Sequence, residues 1–546
     1  MHRNLAVWLL MVVAFVLVLS GCSSERPQPG GRLSLFLGPE PASIDPALAE
    51  DPSSVQVDEL LFLGLTGIDD HTQQAVPELA TRWDVSADGL TWKFYLRQDV
   101  HWVHYVQGRF VAKRVVTAHD VEYAVRRALT AQNALPGADL LYILRNARAF
   151  HDGKLSDPTA LGVRAVGDYE IDFTLERPAA DFAVLAGLPP FRPVPKEVIE
   201  QAGERWTEPG NVWTNGPFAL ASWEHGSALT VVRNPRYYDV RTVALQQVTL
   251  ALGDDEDAAF ALYREDKLDV CPVPADQVSQ VRADGGLAPE LHLVTEPGTE
   301  YYGFNGSEPP FTNPQVRRAF SLAIDRAKLV DTVLQGQGVP AKSLGAPGAT
   351  DSPANDQSFQ GVGFDLDQAR KLLADAGYPA GKGLPPVLVA ANDDPQVQAV
   401  AAFVQQAWQQ ELGAKVTVQS IPWTEYYDDV VTSSAPPAFR MPMTASYPSE
   451  SAWLRDGMLA PTGALALQWR NTDFDRLLTE AARTADPARR QALYARAEQT
   501  LCVDDAALIP LYHPAHFVAS KPWVERTYAP FGVEHIEQWQ VKIHCL

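Results

Sequence analysis

The first two dozen residues constrain this chain most. A basic start, His2-Arg3, leads into an apolar run from Leu5 to Leu19 that closes on Leu19-Ser20-Gly21-Cys22. The run is roughly 15 residues long, whereas a helix that crosses a bilayer needs about 20. Small residues directly before a cysteine form a lipobox, where the leader is cut and the cysteine thiol carries diacylglycerol. The pattern predicts a signal peptide over 1–21, lipidation at Cys22 and a polar, Pro/Gly-containing tether over 22–31. The body is then expected to fold in the cell envelope, at the outer face of the cytoplasmic membrane, periplasmic or extracellular and held there by lipid.

A chain of 546 residues exceeds what one hydrophobic core supports, so roughly two to four domains are expected. Its 13 Trp, 17 Tyr and 21 Phe suffice to fill such cores. A net charge of −22 argues against a nucleic-acid partner and against an anionic bilayer surface. Beyond Cys22 the chain has Cys271, Cys502 and Cys545, which permit at most one disulfide and leave one thiol over. The pairing stays open, and the spacing matches no zinc pattern.

Strand and helix patterns alternate through the body, which predicts an α/β protein. Residues 83–97 read as a hairpin: Asp88-Gly89 supplies the turn, and Leu90, Trp92, Phe94 and Leu96 share one face. Thr117-Ala118-His119-Asp120 reads as a capping-box helix start. Asn313-Pro314 opens a second helix and Asp365 a third that stops at Gly377. A fourth runs from about Pro395 to Leu412, ends at Gly413 and leads into a strand at 416–421. Asp486-Pro487 opens a late helix, followed by an apolar strand over 507–512.

Signatures of catalysis are missing: there is no His-Glu-x-x-His, Gly-x-Ser-x-Gly, phosphate-binding Gly-rich loop or Cys-x-x-Cys. His101/His104 and His513/His516 stand three apart, which on strands points them to opposite faces, so no metal site and no cofactor are expected. The chain reads as a binding protein and not an enzyme. A secreted hydrolase would instead need two carboxylates about 5–10 Å apart across a cleft.

Several segments occur in an order that carries a resemblance. They are Gly38-Pro39-Glu40-Pro41-Ala42-Ser43-Ile44-Asp45-Pro46, Pro77-Glu78-Leu79-Ala80-Thr81-Arg82-Trp83 with the hairpin after it, and Thr117–Ala124. Asn215-Gly216-Pro217-Phe218, Arg233-Asn234-Pro235-Arg236-Tyr237-Tyr238 and Pro310–Ala319 with Ala323-Ile324-Asp325-Arg326 follow. Ile509-Pro510-Leu511-Tyr512 and Lys521-Pro522-Trp523-Val524 close the series. Together they resemble the solute-binding lipoproteins of bacterial ABC importers, in the oligopeptide- and dipeptide-binding family (family 5 extracellular solute-binding proteins).

The resemblance implies a two-lobed clamshell, periplasmic-binding-protein-like (type II), with an additional inserted domain. Lobe I would be discontinuous, 32–56, 183–290 and 507–546; domain II would be 57–182 and lobe III 291–506. It also implies a small-molecule or peptide ligand, ABC permease and ATPase subunits as partners, and a monomeric chain. Gly38, Pro39 and Glu40 align with the strand that pairs with a bound peptide, although Pro41 interrupts the donors there. Trp423 matches a pocket tryptophan, and Arg440 an arginine able to meet a ligand carboxylate.

The sequence also departs from the family pattern. In Ala445-Ser446-Tyr447-Pro448, Ser446 replaces the aspartate that holds a peptide amino group, with Tyr447 beside it, and Met443 stands where tryptophan is common. Glu450 is close enough in sequence to serve as a substitute carboxylate. After Trp102 the residues Val103-His104-Tyr105-Val106-Gln107-Gly108 imply a longer loop in domain II. Peptide import is the first reading. Oligosaccharides, metal chelates, opine-like compounds or a sensory role remain open on the same scaffold. Replacing Cys22 tests the opening inference: Cys22→Ser is expected to abolish membrane association in cell fractionation, and an unchanged membrane fraction refutes lipidation.

Overall fold

The computed structural model describes residues 31–130, 136–431, 435–459, 463–464, 466–529 and 533–542. The leader, Cys22, the tether up to residue 30 and Cys545 lie outside the described residues. Cys271 and Cys502 are buried free thiols. Among the described residues no helix is long and apolar enough to cross a membrane.

One 12-stranded mixed sheet organises the molecule. Its strands in chain order are β1 (Arg32–Gly38), β2 (Phe218–Glu224), β3 (Ala228–Arg233), β4 (Gln247–Leu252), β5 (Val270–Pro272) and β6 (Leu291–Thr295). They continue with β7 (Gly298–Phe304), β8 (Gly338–Pro340), β9 (Val387–Asn392), β10 (Val416–Ile421), β11 (Ala438–Thr444) and β12 (Leu508–Ser520). The hydrogen-bonded path is β2-β3-β4-β1-β5-β12-β7-β11-β9-β10, with β6 and β8 also on β12.

The long strand β12 belongs to both halves of this path. Its last residues pair with β5 (Cys271↔Ala519) and β6 (Leu291↔Ala519), its first with β7 (Tyr302↔Ile509) and β8 (Pro340↔Tyr512). Alternation on a strand sends every second side chain to one face. Ile509 and Leu511 therefore enter the core around Tyr302, Phe320 and Trp408, while Phe517 and Ala519 enter the one around Phe260 and Tyr263. Only Glu296 and Pro297 separate β6 from β7, so this second crossing runs antiparallel beside β12. Two adjacent strands thus connect two lobes, each with its own packed core.

The inserted region carries a four-stranded sheet in the order Ala80–Val85, Thr91–Leu96, Glu170–Thr174, Val163–Gly167. The hairpin predicted over 83–97 is present: Gly89 has φ +73°, and Trp92, Phe94 and Leu96 are buried beside Phe173 and Phe182. Asp120 completes the expected helix start by accepting from the Thr117 backbone N–H at 2.9 Å. The loop expected after Trp102 is instead a β-hairpin, His101–Val106 against Arg109–Val115. Gln107 and Gly108 both have positive φ, which suits a two-residue hairpin turn. His104 sits on its first strand, with Nε2 2.7 Å from the Gly210 carbonyl oxygen.

Gly303 shows how tightly the lobe III half of the sheet is built. A Cβ there would lie 2.5 Å from the Phe439 ring and 2.7 Å from Leu467. Gly303→Ala is expected to lower stability by about 1–3 kcal/mol in urea titration, the usual cost of overpacking.

Candidate ligand-binding site

Strand β11 and the chain that leaves it carry most of the predicted site residues. Arg440 lies opposite Tyr302 on β7, one strand in from β12. Its guanidinium donates from Nε to Glu300 Oε2 at 2.7 Å, from Nη2 to Glu300 Oε1 at 2.5 Å, and from Nη1 to Asn392 Oδ1 at 3.0 Å. Burial raises the Glu300 carboxyl above its usual value, and Arg440 opposes that rise. A fork-to-carboxylate pair of this kind is strong and directional. The arginine charge is thus balanced by Glu300 within the protein.

Around this pair opens a cavity of about 530 Å³ that Trp423, Asp394, Tyr512 and His516 also line. Trp423 heads the helix Trp423–Val431 and is 42% exposed, with Tyr426 and Tyr427 against its ring. The structure therefore brings Trp423 and Arg440 together. Their partners Glu300 and Asn392 escaped the sequence reading. Glu300 left one trace, as the only charged residue in the otherwise apolar or small run of β7.

Ser446 and Tyr447 line a different cavity, of about 390 Å³. One wall consists of Pro297 and 445–448 from lobe III; the other holds Glu59, Asp70, Leu188, Arg192 and His535 from the opposite side. Ser446 is exposed, whereas the buried Tyr447 donates to Asp456 Oδ2 at 2.6 Å. Met443 is buried with its Sδ turned toward Gly457 and lines neither cavity.

The expected peptide-pairing strand stands apart from both. Gly38 ends β1, where its carbonyl accepts from Gly253 N, and Pro39 is exposed. Glu40 accepts from His225 Nδ1 at 2.6 Å, Trp223 Nε1 at 2.9 Å and Gly226 N at 2.9 Å. The His225 bond holds its carboxyl below the usual range. Glu40 thereby clasps the β2–β3 turn. Glu450, the suggested substitute for the lost aspartate, is fully buried against Gly345 and does not line the Ser446 cavity. Burial and the nearby Glu498 push its carboxyl well above the ordinary value.

Countercharges near Ser446 come instead from across the cavity. Arg192 donates from Nη2 to Glu59 and from Nη1 to the Phe62 carbonyl at 2.9 Å. His535 Nδ1 is 2.6 Å from Asp70 Oδ1. Burial opposes the charged imidazole, but the Asp70 hydrogen bond and the charges of Glu537 and Glu59 prevail, raising His535 to about 10. Beneath it, burial pushes Glu537 up to about 7 and raises Glu78 as well. No motif signalled this cluster, whose members span residues 59–537. Among the described residues, no group of three or more His, Cys, Asp or Glu side chains is placed to hold a metal ion.

A family model described as bacterial extracellular solute-binding proteins, family 5 Middle, matches residues 74–459. The chain belongs to family 5 of the bacterial extracellular solute-binding proteins. Family 5 members are binding proteins, and the two-lobed α/β fold described above is theirs. The probable deoxycholate-binding periplasmic protein YgiS of Escherichia coli K12 is 30% identical over 501 residues, 89% of this chain and 88% of that protein. The unliganded open form of the periplasmic murein tripeptide-binding protein MppA superposes with a TM-score of 0.84 at 29% identity, covering 95% of this chain and 99% of that one. Peptide-bound OppA of Listeria monocytogenes gives a TM-score of 0.62 at 25% identity, covering 94% and 100%.

The cleft cluster makes a pH prediction. His535, Glu537 and Glu78 all have raised values, so the folded state holds more protons than the unfolded one and their contribution to stability falls as pH rises. For His535 the loss runs from its ordinary value near 6.5 to about 10. Asp70→Asn, which removes the bond that raises it, is expected to flatten the decline of melting temperature over that window. An unchanged slope contradicts the assignment.

Proposed function

We propose that this family 5 protein captures peptides between its lobes and delivers them to an ABC importer through closure of the clamshell. One observation carries the reading: the cavity at Ser446 has walls from both lobes, and those lobes are joined by the two crossing strands, β6–β7 and β12. We place the lobe boundaries at the starts of these strands, 290/291 and 506/507, with 57–182 as the inserted domain. The closer match to an unliganded open relative than to a peptide-bound one supports an open, ligand-receptive state.

Closure needs contacts that the open form lacks, because a ligand shifts an equilibrium only by its differential affinity for the two states. An extended peptide supplies them by backbone pairing along β11, with Trp423 and Arg440 beside its side chains. The peptide amino group faces Ser446, across the cavity from the ion-paired carboxylates of Asp70 and Glu59. Lipid at Cys22 keeps the monomer beside the permease and ATPase subunits. Ser446 itself favours a second reading, a non-peptide solute that needs no amino anchor. The deoxycholate named for YgiS is one such chemistry.

Native mass spectrometry of protein purified from its host, followed by denaturing release, decides between the two readings by naming the cargo. With a peptide ligand, small-angle scattering is expected to show a compacted particle; superimposable free and loaded profiles reject the clamshell mechanism. In an Arg440→Ala/Glu300→Gln double variant, which leaves no buried charge unpaired, calorimetry is expected to show carboxylate-bearing ligand weakened by about 1.5–3 kcal/mol. Unchanged affinity removes Arg440 from the site.

A further inference from the structure

The chain is acidic overall, at net −22, yet one groove gathers arginine. A cavity of about 830 Å³ lies between Arg177-Pro178 of the inserted region and residues 454–459, 464 and 468–483 of lobe III. Arg177, Arg455, Arg470 and Arg483 line it, facing a single carboxylate, Asp475. Arg177 Nη2 stands 3.3 Å from Asp456 Oδ1, and that carboxylate already accepts the Tyr447 hydroxyl. The guanidinium groups of Arg455, Arg470 and Arg483 have no hydrogen-bond or ion-pair partner among the described residues.

Arg470 and Arg483 are exposed, so the cost of an empty groove falls on Arg455. Arg455 is half-buried, and desolvation with Arg177 beside it holds its guanidinium below the ordinary arginine value. Asp456 and Asp181 offset part of the repulsion between Arg177 and Arg455, and a partly desolvated cation gains most from an added anion. The floor is apolar, formed by the buried Met458 and Phe474 with Leu478, and Leu459 at the rim is 77% exposed. A ligand that satisfies both features carries an anionic head and a hydrocarbon body, and the volume suits a small molecule.

We propose that this groove is a second binding site, separate from the Ser446 cavity, for an amphipathic organic anion. The arginines take a carboxylate, sulfonate or phosphate by forked hydrogen bonds, and the apolar floor takes the body. The inference does not depend on peptide capture.

Calorimetry on the full purified chain tests it with three probes below their micellar concentrations. They are decanoate, decyltrimethylammonium with the same body and opposite charge, and acetate with the head alone. Decanoate is expected to bind saturably, with the other two at least about tenfold weaker. Arg483→Ala, and the exposed Arg470→Ala in case the first disturbs folding, are each expected to weaken decanoate about tenfold. Equal binding of decyltrimethylammonium, full decanoate affinity in both variants, or no saturable decanoate binding overturns the proposal. Failure of peptide capture with these decanoate results intact leaves the groove standing.

Discussion

The structure depends on hydrogen bonding along β12. One strand satisfies its backbone groups in two lobes, with β5 and β6 at its end and with β7 and β8 at its start. Because buried N–H and C=O groups must be paired, neither lobe can leave this strand without losing part of its sheet. The lobes are therefore tied at a fixed edge. Pro510 and Pro514 lie on this strand, and the register with β7 shifts between Glu300 and Tyr301. Proline removes a ladder donor and an irregular register loosens pairing, both of which suit a place where a strand must flex.

The cleft beyond that edge is controlled by charges that the protein pairs internally. Arg440 is held by Glu300 and Asn392, Arg192 by Glu59, and His535 by Asp70. Buried charges survive only with partners, so each pair fixes side chains that line a cavity in one orientation. A preorganised wall of this kind costs little to order when a guest arrives. Next to the cleft, the Ser449 hydroxyl donates to Asp181 at 2.7 Å, and Arg177 meets Asp456, so the inserted region also grips lobe III.

Local features were legible in the sequence wherever their physics is local. Asp365 and Asp486 cap helices through bonds to backbone N–H groups two or three residues on, a span that any short window contains. The Asp88-Gly89 turn and the alternation of Trp92, Phe94 and Leu96 are equally self-contained. The loop expected after Trp102 was misjudged because its hairpin is completed by Trp213 and Thr214, about a hundred residues away. Glu40 shows the same limit: its partners Trp223 and His225 come from the β2–β3 hairpin, and no spacing rule links them.

By itself the sequence determined the fold family, the capped helices, the core stripes and which side chains along β11 deserved scrutiny. These are properties of short windows and of their order. Tertiary structure decided how those side chains are used: Arg440 is neutralised by Glu300, 140 positions away, and Ser446 faces carboxylates that share no segment with it. The reason is that electrostatic partnership depends on distance in space, and pairing across one sheet spanning both lobes sets that distance.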